Sequence, residues 1–236
     1  MIDADKIIKD TLYVFNQTVE QRKKFSEITE FVSADDYRRI HKDVLTPLNL
    51  KIDVDLFLQE IETYKSYFEQ WGTEHTHLPR YGLALVNEDG MLKSRDVING
   101  SLYEKNKLNP NTPVIETDFT VPTEVMNLSS LKPLSVFDGH WCRSNVFKWY
   151  EGAEFMPHID TVIPSPWIRL WAATSTDNID VRFYNGEMVS VENIEPGRVY
   201  VIDTSIVHDA KCKKGTVFQL FLSVRPSALG IIADLM

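Results

Sequence analysis

Two histidines and one aspartate in this 236-residue chain have the types and spacing of a metal-binding set. His158 and Asp160 stand two apart in Phe155-Met156-Pro157-His158-Ile159-Asp160. His208 closes the run Tyr200-Val201-Ile202-Asp203-Thr204-Ser205-Ile206-Val207-His208, 208 − 158 = 50 residues after His158. In an extended segment residues i and i+2 share a face, so His158 and Asp160 can turn toward one ion. Two neutral imidazoles and a carboxylate can fill one face of an octahedral Fe(II) and leave three positions open, the minimum set for oxygen activation at non-haem iron. A His-x-Asp tripeptide alone is weakly specific. The weight comes from the order: His-x-Asp, several short strand candidates, then a histidine at a strand end. A second pair, His75 and His77 in Glu74-His75-Thr76-His77-Leu78, lacks a third ligand in strand context and reads as a surface or interdomain feature.

The elements that must position these residues change character along the chain. The first 70 or so residues read as helical: Ile7, Ile8, Leu12 and Phe15 fall at helical spacings, and Ser33-Ala34-Asp35-Asp36 predicts a capped start for a helix from Tyr37 to Val44. Asp53 to Trp71 repeats the helical pattern, with Gly72 as its stop. From Arg80 the period shifts: Tyr81-Gly82-Leu83-Ala84-Leu85-Val86 is a short apolar run closed by the turn residues Asn87-Glu88-Asp89-Gly90. Residues 91 to 135 are rich in Asn, Pro, Ser and Thr without a period, and read as loops or lids. The rest is a succession of strand candidates: Asn145 to Tyr150, Trp167 to Ala173, Val181 to Tyr184, Glu187 to Val191, Arg198 to Ile202 and Val217 to Val224. Asn185-Gly186 and Lys214-Gly215 are hairpin signals. The expectation is a mainly β protein, a jelly roll or cupin-like barrel over residues 80–236, with a helical N-terminal region, 1–79, packed on it.

Composition excludes some functions. A net charge of 25 − 34 = −9 argues against a nucleic-acid-binding surface, so nucleic acid is an unlikely partner. No apolar run approaches the ~18 residues that span a bilayer. Met1-Ile2-Asp3-Ala4-Asp5-Lys6 has no basic segment leading into an apolar stretch, so no secretory leader is expected. The two cysteines, Cys142 and Cys212, suit reduced thiols in the cytoplasm.

The run Tyr150-Glu151-Gly152-Ala153-Glu154-Phe155-Met156-Pro157-His158-Ile159-Asp160, then Trp167-Ile168-Arg169-Leu170-Trp171, then His208, resembles the Fe(II)/2-oxoglutarate-dependent oxygenase superfamily. The nearest flavour is the aspartyl/asparaginyl β-hydroxylase and free-proline hydroxylase group, and the resemblance covers about residues 143 to 227. It implies a double-stranded β-helix, Fe(II) held by His158, Asp160 and His208, and 2-oxoglutarate as co-substrate. The implied reaction is a hydroxylation, by O2, of a small amino-acid-like molecule or a peptide or protein side chain, coupled to decarboxylation of 2-oxoglutarate to succinate.

The co-substrate's distal carboxylate needs a cation, usually an arginine. Arg225, in Val224-Arg225-Pro226-Ser227, echoes the Arg-x-Ser of some relatives, and Arg169 is the alternative. We assign Arg225 to 2-oxoglutarate and Arg169 to the substrate. If Lys214-Gly215 centres a hairpin, His208 faces Phe221, and Val217, Gln219, Phe221, Ser223 and Arg225 share its inward face. Relatives carry their cation near the start of this last strand, where this chain has Val217 and Gln219. That absence keeps open a non-catalytic or 2-oxoglutarate-independent cupin-like metal-binding domain.

Overall fold

The computed structural model describes residues 19–71, 80–92 and 109–236, with Lys6, Leu102 and Asn106. The helical pattern around Ile7 to Phe15, Gly72, and the His75/His77 pair lie outside the described residues.

Among the described residues four helices flank the strands: α1 (Val19–Ser26), α2 (Ala34–Ile40), α3 (Val54–Ile61) and α4 (Leu229–Leu235). Ser33 caps α2 and Asp53 caps α3, each accepting a bond from the backbone N–H three residues on, at 3.1 and 3.0 Å. The N-terminal region, expected as a helical layer, also supplies strands. Helix α2 stops at Ile40 because Thr46 Oγ1 accepts the N–H groups of Lys42 and Asp43, turning the chain into strand β1 (Leu45–Lys51). Past Ile61 the expected long helix tightens to a 3-10 segment, Glu62–Tyr67, rich in Thr and Tyr, and ends in strand β2 (Glu69–Trp71).

The remaining strands are β3 (Arg80–Asn87), β4 (Val121–Pro122), β5 (Trp141–Tyr150), β6 (Glu154–His158), β7 (Ile168–Ala173), β8 (Ile179–Tyr184), β9 (Met188–Ser190), β10 (Arg198–Ile202), β11 (His208–Cys212) and β12 (Thr216–Val224). They form two antiparallel sheets. The larger has the order β1-β10-β7-β12-β5-β3-β2, with β4 paired to β3; the smaller has the order β6-β11-β8-β9. Apart from the β8–β9 hairpin within the smaller sheet, the chain alternates between the sheets from β5 onward, which is the winding of a double-stranded β-helix.

The hairpin expected at Lys214-Gly215 does not form. Strand β11 pairs with β6 and β8, whereas β12 pairs with β5 and β7, so Lys213 to Gly215 is a corner between sheets. Glu151, in the β5–β6 turn, pins that corner: its carboxylate accepts the Gly215 N–H at 3.0 Å, and its own N–H donates to the Gly215 carbonyl at 2.7 Å. Gly215 sits at φ +65°, which favours glycine. His208 therefore does not pair with Phe221. At Asn185-Gly186 the strands β8 and β9 do pair, closing at Tyr184↔Met188 around three residues rather than two.

Each sheet position has a face. On the outer face of the larger sheet Leu83, Val146, Leu170, Leu220 and Leu222 pack with Tyr37, Ile40, Phe57, Ile61 and Ile232 from the helices. The inner face meets the smaller sheet: Phe147, Trp149, Trp171 and Val217 share a core with Val181, Phe183 and Ala210. Register places inner residues in rows. One runs Ala84–Asn145–Phe221–Trp171–Tyr200, the next Gly82–Phe147–Gln219–Ala173, and the next Arg80–Trp149–Val217.

Candidate metal centre

His158 ends β6 and His208 begins β11, and the two are direct cross-strand partners. Antiparallel pairing thus brings together residues 50 apart in sequence, with ring centroids 4.3 Å apart. Asp160 lies just past β6, where its N–H donates to the Thr204 carbonyl at 2.9 Å. The Thr161 and Thr204 hydroxyls bond at 2.7 Å beside it, tying the loop after β6 to the loop before β11. One ligand atom from each of His158, Asp160 and His208 falls within 4.8 Å of the others. His158 Nε2 is 3.5 Å from Asp160 Oδ1, and His208 Nε2 is 3.8 Å from Asp160 Oδ2.

Hydrogen bonding fixes what these rings present. His158 Nδ1 lies 2.8 Å from the Met156 carbonyl and His208 Nδ1 lies 2.9 Å from the Ile206 carbonyl. A carbonyl only accepts, so each Nδ1 carries the proton and each Nε2 turns a lone pair toward the centre, the backing that metal-bound histidines have. His208 Nε2 is buried with no hydrogen-bond partner, a costly state for an acceptor unless something binds it. Burial, with the neighbouring His208, pushes His158 down to about 3. For Asp160 burial acts upward, but His158, Arg169, His208 and Arg143 outweigh it and hold the carboxyl down to about 2. The neutral imidazole of His158 and the carboxylate of Asp160 are the forms that ligate metal at neutral pH. The donor set fits a divalent first-row ion of the Fe(II) kind.

Of the two arginines singled out in the sequence, Arg169 lies nearer this centre. It stands on the inner face of β7 and is held by Glu116: Nη2 to Oε1 at 2.8 Å and Nη1 to Oε2 at 3.2 Å. It also donates to Ser223 Oγ. Glu116 is itself buried, and Arg143 Nη1 lies 3.7 Å from it. Arg225 follows β12; its Nη2 donates to the Thr117 carbonyl at 3.3 Å, and it lines a separate surface depression with Ile28, Glu30 and Pro166.

Sequence reasoning missed three inner residues. Glu116 comes from the stretch with no period, and no local signal marks it. Gln219 was placed on the inward face but given no role beyond not being a cation, and both its side-chain polar atoms are buried and unpartnered. Arg80 heads the apolar run of β3; its period-2 relation to Gly82 and Ala84 was the available signal.

No protein-family model matches this chain, and no curated protein matches it either. Among solved structures it is similar to a Pseudomonas putida prolyl-4-hydroxylase, at 12% identity and TM-score 0.44, covering 81% of this chain and 97% of that one. It is similar to a prolyl hydroxylase from Trichoplax adhaerens in complex with a hypoxia inducible factor peptide fragment, at 11% identity and TM-score 0.45, covering 93% and 98%. A 2OG-Fe(II) oxygenase family oxidoreductase from Burkholderia pseudomallei is similar at 9% identity and TM-score 0.40, covering 71% and 78%. Among the described residues no helix is long and apolar enough to cross a membrane.

Proposed function

We propose that this protein is an Fe(II)- and 2-oxoglutarate-dependent dioxygenase that hydroxylates a small amino-acid-like molecule or a protein side chain. One observation carries the reading: two imidazoles, each pinned through Nδ1 to a backbone carbonyl, aim Nε2 at the carboxylate of Asp160, and the buried Nε2 of His208 has no other partner. Iron held there would supply oxygen activation, with 2-oxoglutarate giving the two electrons that let one oxygen atom enter the substrate and the other enter succinate. The chain's own contribution is placement. The carbonyls of Met156 and Ile206 hold the two rings in orientation. Phe155, edge-on to His158 at 4.1 Å, and Phe183, stacked on His208 at 5.7 Å, pack against the two rings and restrict their rotation. Cys142 and Cys212, buried and not bonded to each other, suit a reducing cytoplasm.

The test is anaerobic addition of Fe(II) and 2-oxoglutarate to the metal-free protein, watching for the weak visible charge-transfer band of the chelate. We expect a band that disappears in His158→Ala and His208→Ala. Iron binding without any band would replace this reading with that of a cupin-like metal-binding domain.

A further inference from the structure

The inner face of the larger sheet holds one arginine, Arg80, with which no acidic side chain among the described residues forms an ion pair. Arg80 opens β3, pairs with Trp149 on β5, and so stands in one row with Val217 near the start of β12. It is 6% exposed. Its guanidinium carbon lies 3.8, 4.9 and 5.2 Å from the ring centroids of Phe155, Phe147 and Trp149. Its Nε is buried without a partner. Burial pushes it down to about 9, with Asp160 acting the other way from a distance.

Aromatic faces attract a guanidinium but do not replace lost hydration and hydrogen bonds, so a buried unpaired cation calls for an anion. Its surroundings are also unfinished. Asn145 Oδ1, Trp149 Nε1, Trp171 Nε1 and both polar atoms of Gln219 face the same interior without partners. Gly82, Ala84 and Ala173, in the adjoining rows, project little or no side chain. Arg169 differs in its charge balance: its Nε is also buried without a partner, but both oxygens of Glu116 and the Ser223 hydroxyl engage its two Nη groups.

Resting on the 2-oxoglutarate-dependent reading above, we infer that Arg80 is the carboxylate anchor of this site and receives the distal carboxylate of 2-oxoglutarate. This replaces our sequence-based assignment of that role to Arg225. The ring of Phe155 touches both Arg80 and His158, so the guanidinium lies about one aromatic ring from a metal ligand. A 2-oxo diacid held at the metal by its first two carbons carries its second carboxylate three carbons further on, and a cation one ring away suits that reach. The row position explains the apolar Val217: β3 supplies, from two strands away, the cation that β12 lacks.

The experiment uses full-length Fe(II) protein under anaerobic conditions. It compares 2-oxoglutarate with 2-oxobutyrate, which has the same 2-oxo acid head and no distal carboxylate. Affinity is read from the charge-transfer band and by calorimetry. We expect Arg80→Gln to weaken 2-oxoglutarate by about 10- to 100-fold while changing 2-oxobutyrate little. Arg169→Gln should not remove the preference for the diacid. An Arg80→Gln protein that keeps the full preference overturns the inference and assigns Arg80 to a substrate carboxylate or to packing. Should Arg80→Gln fail to fold, Arg80→Lys must still weaken 2-oxoglutarate more than 2-oxobutyrate; equal weakening overturns the inference. If wild-type protein binds iron but neither 2-oxo acid, the reading beneath fails first, and with it this one.

Discussion

The two faces of the larger sheet are built from the same strands and are finished to different degrees. Along β12 the outer residues Phe218, Leu220, Leu222 and Val224 are buried in a cluster of hydrophobic side chains from the sheet and the flanking helices. The inner residues alternate with them, and there Gln219 is fully buried with no hydrogen bond to either end of its amide. Asn145, Trp149 and Trp171 add further unpartnered polar atoms on the same side, and Arg80 adds a charge. Buried polar atoms are normally satisfied, because each unsatisfied one costs about 1–3 kcal/mol. One face is a closed apolar core; the other, although Phe147, Trp149, Trp171 and Val217 pack there against the smaller sheet, leaves buried polar atoms unpartnered, which the proposed ligand would answer.

This contrast makes separable predictions. On the outer face Leu220→Ala should cost about 2–5 kcal/mol in urea or thermal denaturation, the range for emptying a packed leucine site. It should leave iron and 2-oxo acid affinity near wild type. A loss of ligand affinity as large as the loss of stability would mean that the faces are not independent. The second prediction concerns the inner centre and pH. His158 has a folded-state pKa near 3, below its ordinary value of about 6.5, so between those values the unfolded chain binds the extra proton. Its contribution is then fully present above about pH 6.5 and is lost as pH falls toward 3. Metal-free protein should lose about 1 kcal/mol of stability between pH 6.5 and 5.5 from this group, and His158→Gln should flatten that slope. An unchanged slope in the variant would show that the ring is not desolvated in the metal-free state.

How much of this was legible in the sequence depends on how local each feature is. His158 and Asp160 share a face through an i, i+2 relation, whereas β6 and β11, which carry His158 and His208, were not among the strands expected, and the apolar run before His208 is β10 followed by a turn. Most other strands of the second half could be read from short apolar runs between turn residues. Strand β1 was hidden because Pro47 sits inside it. Proline is tolerated on an edge strand, and β1 is the edge of its sheet, next to β10 alone. The corner at Lys214-Gly215 was misread because a tight turn looks alike whether the next strand pairs back or crosses over. That choice is made by Glu151, more than 60 residues away. The partners of the arginines are equally non-local: Glu116 reaches Arg169 across 53 residues, and only the register of three strands sets Arg80 in the row with Val217.

The smallest expected effect is the sharpest probe of the contrast, because it concerns the immediate neighbour of Leu220. Gln219→Leu keeps a side chain of similar size on the inner face and removes two buried polar atoms that have no partner. In an ordinary core, losing an amide breaks hydrogen bonds and destabilises. Here there are none to break, so unliganded stability should stay unchanged or rise, by at most about 1 kcal/mol. Equilibrium urea denaturation of ligand-free protein measures this directly. A loss above about 2 kcal/mol would mean that the amide is satisfied in solution, by ordered water or by a shifted neighbour, and the inner face would then be as finished as the outer. A gain would establish that adjacent residues of one strand answer to different demands, Leu220 to folding and Gln219 to whatever occupies the barrel.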